Sequence, residues 1–145
     1  EYKHIVDMFH KYRILVTGFF IFGFDGDDKN VFRACSEIIK YINLDEAHLY
    51  ILTPYPGTEM YEEFKREGRL RDSGDRSKFG WANALFTPKN MTAQELEEGV
   101  RWANAELHPF FRKKVRKEIF RRLPFFITHP ALLKTALSGS GKRVL

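Results

Sequence analysis

Residues 18–28 read GFFIFGFDGDD, an apolar run that stops at a glycine and turns at once into acids. Asp25, Asp27 and Asp28 put three carboxylates within four residues, with Gly23 and Gly26 beside them. Three readings of this stretch are open. Carboxylates at this density are hard oxygen donors for a divalent cation, although the glycine and the final glutamate of a calcium loop are misplaced. Glycines at a strand end permit close backbone approach and positive φ, so the same residues could floor a ligand site. The plainest alternative is a tight strand-to-helix turn in which Asp27 or Asp28 caps the helix.

Other chemistry-bearing residues are sparse. A second glycine-marked turn, TPYPGT (53–58), sets Gly57 after Pro54 and Pro56 and carries Tyr55 at its centre. His4, His10, His48, His108 and His129 are scattered, and no pair has the i, i+4 spacing of a helical metal site. His48 and Tyr50 lie on an expected strand, either packed or facing an interior cavity. The single cysteine, Cys35, excludes an internal disulfide and any site built from several thiolates of this chain. It falls on the inward stripe of an expected helix and reads as a small buried apolar residue. There is no Ser/His/Asp arrangement, P-loop or defensible carboxylate pair.

The elements that must position these residues follow from hydrophobic periodicity. Residues 1–12 predict a helix with Ile5, Val6 and Phe9 as its buried stripe. Ile14–Phe24 is uninterrupted by charge and predicts a strand buried on both faces, as in a parallel sheet. Val31, Phe32, Cys35, Ile38, Ile39 and Ile42 recur at helical spacing, and Asn43 is placed to end that helix. Ala47–Leu52 predicts a second strand, and Thr58 caps a third helix that carries Tyr61 and Phe64 and stops at Gly68. Strands joined through helices of this length run parallel, so the fold class is α/β. Residues 78–88 could add an irregular strand or a packed loop. TAQE (92–95) is a capping box. It opens a helix with Leu96, Val100, Ala103 and Leu107 inward, and Pro109 kinks or ends that helix. Pro124 stops the next one, Ala131–Leu137 predicts a short last helix, and the SGSGKRVL end reads as disordered. Trp81 and Trp102 read as packing residues.

The chain has 145 residues, 43% of them apolar and 15% aromatic, enough for one domain with a core. It begins without Met and inside a pattern, which reads as a piece of something longer. No apolar run approaches the roughly 18 residues of a membrane span, no signal peptide is visible, and the lone cysteine fits a reducing, cytoplasmic compartment. The net charge of +5 is uneven. Residues 110–145 hold ten Lys/Arg and one acid, Glu118, while the preceding residues hold fourteen bases and eighteen acids. Attraction to anions therefore belongs to the tail.

Residues 17–32 (TGFFIFGFDGDDKNVF), 47–70 (AHLYILTPYPGTEMYEEFKREGRL) and 86–99 (FTPKNMTAQELEEG), in that order, resemble the second half of a radical S-adenosylmethionine (radical SAM) enzyme. More narrowly, they resemble the branch with an N-terminal cobalamin-binding domain, which includes the hopanoid methylases. The resemblance covers roughly residues 1–107. It implies an α/β fragment of a (β/α)6 partial TIM barrel, about two parallel strands with their helices, followed by an α-helical C-terminal extension. On that comparison residues 1–75 are the second half of the barrel, 76–109 a family-type extension and 110–145 a basic helical tail.

Ile14–Phe24 then resembles the fifth barrel strand and Ala47–Leu52 the sixth. In the family, a GxIxGxxE strand end and the neighbouring strand hold the adenine and ribose of S-adenosylmethionine. Ile21 and Gly23 match the centre of that motif. Phe19 stands where its first glycine would be and Gly26 where its glutamate would be, so Asp27 is a shifted acidic residue. The resemblance thus implies a cofactor-binding set of Ile21, Gly23, Asp27, Leu52 and Tyr55, with Ile21 and Leu52 as an apolar shelf. It also implies a 4Fe-4S cluster on a CxxxCxxC motif, possible use of cobalamin, and a parent that acts as an Fe-S oxidoreductase or methyltransferase. The chain holds Cys35 alone. It is therefore expected to bind no cluster and to be inactive by itself, its partner being the N-terminal half of the parent.

The tail carries an independent expectation. Phe110, Phe111, Val115, Ile119, Phe120 and Leu123 alternate with Arg112, Lys113, Arg116, Lys117 and Arg121. That pattern suits a solvated face, a helix docked on an acidic partner, or an interfacial helix on an anionic membrane at the inner face. No recognised nucleic-acid motif accompanies it. A non-catalytic docking module is accordingly the alternative function. An open strand edge also predicts dimerisation or strand exchange.

Overall fold

A parallel strand pair cannot be closed by a tight turn, so a helix must carry the chain back across the sheet. The computed structural model shows this arrangement. It describes residues 1–71 and 83–128, with the helical backbone alone over 118–128. The elements are α1 (Tyr2–Lys11), β1 (Thr17–Phe22), α2 (Val31–Ile42), β2 (Glu46–Ile51), α3 (Glu59–Arg66) and α4 (Ala93–Thr128). The chain divides into two compact units, Glu1–Phe110 and the residues from Phe111 on. In the first unit β1 and β2 pair in parallel, with Thr17 opposite Glu46 and Phe22 opposite Ile51. The amide of Leu52 donates to Phe22 and carries the ladder one step further. Helices alternating with a two-stranded parallel sheet are compatible with a partial α/β fragment.

The sheet is not buried on both faces. Along β1 exposure alternates, with Phe19 at 67% and Ile21 at 49% exposed while Phe22 is buried. Phe22 packs against Phe32 of α2 with ring centroids 5.3 Å apart, and Leu49 and Ile51 of β2 are buried too. One face therefore rests on helices of this chain, and the other is open. A continuous apolar run predicts two covered faces, but the described residues supply a cover for one.

The helix α2 is tied to α4 at both ends. Lys29 pairs with Glu95 at 2.7 Å and Lys40 with Glu106 at 2.6 Å. Both partners advance by eleven residues, so α2 and the first turns of α4 run side by side in the same direction. Between the two ion pairs lies the contact that sets the spacing. A Cβ on Gly99 would sit 2.2–2.4 Å from the Phe32 ring, so the ring occupies the place of that side chain. Leu96, Val100, Ala103 and Leu107 form the buried stripe of α4, as their spacing predicts.

Helix ends follow local chemistry. At α4 the Thr92 amide donates to Glu95 at 2.8 Å and the Glu95 amide donates to the Thr92 hydroxyl at 3.2 Å, a capping box. Lys29, followed by the Thr92 amide and hydroxyl, holds the Glu95 carboxyl down to about 2. The Thr58 hydroxyl accepts from the Tyr61 amide at α3, and Asn43 ends α2 at φ 63° in the left-handed region. Past α3 the Gly68 amide donates to Lys65 and the Arg69 amide to Phe64, a Schellman closure.

Several sequence expectations need correction. Within α1 Val6 is buried but Ile5 and Phe9 are partly exposed. In α2 the buried face is Phe32, Ser36 and Ile39, and Ile38 is exposed; the Ser36 hydroxyl is satisfied by the Phe32 carbonyl at 2.9 Å, so a polar residue can stand there. Asp27 and Asp28 do not cap α2. Its N-cap is Asn30, without a side-chain bond, and Asp28 closes a local turn onto the Asn30 amide. Within 78–88, Phe86 makes one antiparallel bridge to Leu70. Trp102 is 44% exposed rather than packed in the core. Neither Pro109 nor Pro124 ends α4, which runs on to Thr128. A proline costs a helix about 3 kcal/mol. Here the buried stripe anchors the turns before Pro109, and Lys, Arg and Glu after it are good helix formers. Trp81, His129, the expected helix at 131–137 and the terminal Gly/Ser stretch lie outside the described residues.

Gly99 yields a test of this packing. On an exposed helix Gly→Ala would stabilise by about 1 kcal/mol. Here the methyl meets a buried ring, and overpacking of this kind costs about 1–3 kcal/mol. Gly99→Ala is expected to lower the thermal midpoint, as read by circular dichroism, and Phe32→Leu in the same chain to recover part of the loss.

Candidate functional site

The carboxyl ends of β1 and β2 emerge at the same edge of the sheet, because the strands are parallel and paired to their last residues. Beyond β1, Gly23 takes φ 105°, where a side chain is strained. Its missing Cβ is used by the core: that atom would lie 2.8 Å from the Phe86 ring and 3.0 Å from Leu96. The chain then folds back, and the Asp27 carboxylate accepts from the amides of Gly23 at 2.8 Å and Phe24 at 3.0 Å. Asp27 thus satisfies two strand-end donors that have no ladder partner.

This turn is clamped from outside by two later segments. Arg69 is nearly buried, with its side chain 11% exposed. Its guanidinium lies 4.2 Å above the Phe64 ring, pairs with Asp25 at 2.7 Å and Glu67 at 3.0 Å, and donates to the Thr87 carbonyl at 2.9 Å. Lys89 also pairs with Asp25, and the Asn90 side-chain Nδ2 donates to the backbone carbonyls of Asp25 and Asp27. Arg69, then Lys89, holds the Asp25 carboxyl below the ordinary carboxylate range. Nothing in the spacing of Arg69, Lys89 and Asn90 marks them as partners of residues 25–27. Their one sequence signal is the Gly68 helix stop, which aims Arg69 back at the sheet.

The three acids of the opening stretch are therefore spent separately: Asp25 on Arg69 and Lys89, Asp27 on strand-end amides, Asp28 on Asn30. Among the described residues no group of three or more His, Cys, Asp or Glu side chains converges as a metal site would require.

The open face of the sheet carries an aromatic row. Phe19 and His48, opposite one another across the strands, stack with centroids 5.0 Å apart and planes 22° from parallel. Tyr50 continues the row 6.2 Å from each, at 15° and 8°. Ile21 sits opposite Tyr50 on the same face. Of the five residues singled out in the sequence, Ile21 lies on this open face and Leu52 is buried at the end of β2. Gly23 and Asp27 shape the adjoining turn, and Tyr55 is exposed in the proline turn, where its carbonyl accepts from the Thr58 hydroxyl at 2.7 Å. Phe19, His48 and Tyr50 were legible as strand residues, but their stacking depends on the strand register. A groove of about 260 Å³ opens elsewhere, on the α2–α4 side; Lys29, Phe32, Arg33, Glu95, Glu98, Gly99 and Trp102 line it, and none of the five contributes.

The cofactors implied by the resemblance meet different fates. A cluster on three thiolates does not fit this chain. Cys35 is its one thiol, half-buried on α2, and burial, then the charge of Asp27, pushes it up to about 11. Ile21 leaves an exposed apolar side chain on the open face, whereas Gly23 offers no cradle, since Phe86 and Leu96 already fill its side. Of the tail residues, Arg112, Lys113, Arg116 and Lys117 are exposed, Phe110 and Phe111 are half-buried, and position 121 is described by its helical backbone alone.

Over 98 residues, 68% of this chain and 21% of the relative, the sequence is 35% identical to the bacteriochlorophyllide d C-12(1)-methyltransferase of Chlorobaculum tepidum. It is 27% identical over 130 residues to an uncharacterized methyltransferase of Pyrococcus horikoshii, covering 89% of this chain and 26% of the relative. A third similarity, 28% over 97 residues, is to the tRNA-2-methylthio-N(6)-dimethylallyladenosine synthase of Paracoccus denitrificans, covering 66% of this chain and 21% of the relative. No protein-family profile matches the chain. The chain thus spans about a fifth to a quarter of the length of these relatives.

The Asp25 clamp predicts an acid response. Its carboxyl is depressed in the folded state, so its contribution is present above the ordinary carboxylate pKa and is lost as pH falls through the folded value. Because Asp25 is largely solvated, the effect is about 1 kcal/mol or less. Asp25→Asn is expected to lower stability slightly at neutral pH and to flatten the acid limb of a urea-midpoint titration against pH. Identical acid limbs for the two proteins would remove Asp25 as a contributor.

Proposed function

We propose that this chain is part of a radical SAM methyltransferase, and that it supplies one wall of the site where S-adenosylmethionine and substrate meet. The observation that carries the reading is the 35% identity over 98 residues, 68% of this chain, to a methyltransferase. Paired parallel strands with both carboxyl ends at one edge support it, because ligands of such sheets bind beyond those ends.

In this reading the chain's own residues position and exclude. Ile21 gives the adenine an apolar surface. Phe19, His48 and Tyr50 form the neighbouring wall on the open face. Gly23 and Asp27 hold the strand tip, and Arg69 fixes the turn through Asp25. The cluster that would cleave S-adenosylmethionine needs thiolates from elsewhere in the parent, and without them this chain is inactive. In this reading the chain works in the cytoplasm, with the rest of the parent as its partner.

The reading frame that encodes Glu1 is the first test: a CxxxCxxC motif is expected upstream, and its absence would remove radical chemistry. In the intact protein, Ile21→Asp is expected to raise the Kd for S-adenosylmethionine at least about tenfold, by setting a charge against an apolar ring, while iron content stays unchanged. Equal affinity in the two proteins would show that Ile21 is not the shelf.

A further inference from the structure

We propose that α4 from Phe111 to Thr128 is an interfacial helix that lies on an anionic lipid bilayer. It stands independently of the chemistry proposed for the first unit.

Between positions 112 and 122 there are seven Lys/Arg and one acid. The backbone stays helical through Pro124 to Thr128, so this charge is strung along one rod. From 111 to 128 that rod is about 27 Å long at 1.5 Å per residue. Arg112, Lys113, Arg116 and Lys117 are all exposed along it. Val115 is 55% exposed and lies one turn from Phe111 on the same side. Four-residue steps from these reach Ile119 and Leu123 in the sequence.

A nucleic acid would satisfy the bases and have no use for an apolar stripe between them, and an acidic protein with an apolar groove is told apart by the vesicle test below, which contains no second protein. A bilayer surface takes both: the stripe enters the headgroup boundary, and Lys and Arg extend their stems to reach lipid phosphates. Charge complementarity therefore selects an anionic membrane as the occupant. Insertion stops at the interface, since no helix among the described residues is long and apolar enough to cross.

The test is co-sedimentation of the full 145-residue chain with vesicles of phosphatidylcholine, with and without one-third phosphatidylglycerol. Binding is expected to the mixed vesicles alone and to weaken in 0.5 M salt, where charges are screened. Each base removed near the surface is expected to cost about fivefold, so Arg112→Gln/Arg116→Gln/Lys117→Gln should bind about a hundredfold more weakly. Val115→Asp should also weaken binding, which a purely electrostatic contact would not show. Equal sedimentation with neutral vesicles, full binding by Val115→Asp, or tighter binding to duplex RNA than to the mixed vesicles would each overturn the proposal.

Discussion

Parallel pairing of β1 with β2 is the constraint from which the rest of the first unit follows. It obliges the chain to return through α2, whose Phe32 packs on Phe22 of the buried face that also holds Leu49 and Ile51. It also delivers both strand ends to one edge, where the chain must turn without ladder partners. Asp27 answers that need by accepting from the amides of Gly23 and Phe24. The opposite face, with Phe19, Ile21, His48 and Tyr50, is left without a covering helix among the described residues.

Apolar contact outweighs charge in holding α2 and α4 against the sheet. The Lys29–Glu95 and Lys40–Glu106 pairs are solvated, and ion pairs of that kind contribute little. Full burial of one Phe or Leu side chain contributes about 1.5–3 kcal/mol, and Phe32, Leu96, Val100 and Leu107 are all buried here. The ion pairs therefore set direction and register, while the Phe32–Gly99 contact sets distance. Arg69 is different in kind. Its guanidinium is nearly enclosed, stacked on Phe64 and paired on two sides, so its removal would leave Asp25 and Glu67 without the group that ties the strand tip to the segment after α3.

Much of the order of elements was readable from periodicity and caps. Thr58, Asn43 and the Thr92–Glu95 box stand where their chemistry places them. The errors have a common source. Ile14–Phe24 was read as doubly buried because composition reports hydrophobicity, not whether this chain provides the second cover. Asp27 and Asp28 looked like helix caps because an acid before a helix usually is one; the competing demand of unpaired strand-end amides wins for Asp27. Pro109 reads as a kink or an end and Pro124 as a stop, but a buried stripe on one side and strong helix formers on the other carry α4 through both. The site was less readable. Ile21 and Gly23 were marked by the motif, yet the use of Gly23 by Phe86, the clamp by Arg69, Lys89 and Asn90, and the Phe19–His48–Tyr50 row all depend on contacts between distant residues.

The similarities to methyltransferases cover a fifth to a quarter of those relatives, in keeping with a sheet that has one finished face and one open. On this account the covered face is scaffold and the open face meets ligand. A crystal structure of the intact protein with S-adenosylmethionine bound tests this most directly. The account predicts the adenine in van der Waals contact with Ile21 on the open face of β1. An adenine bound elsewhere, with another segment of the protein packed over Phe19, Ile21 and Tyr50, would contradict it.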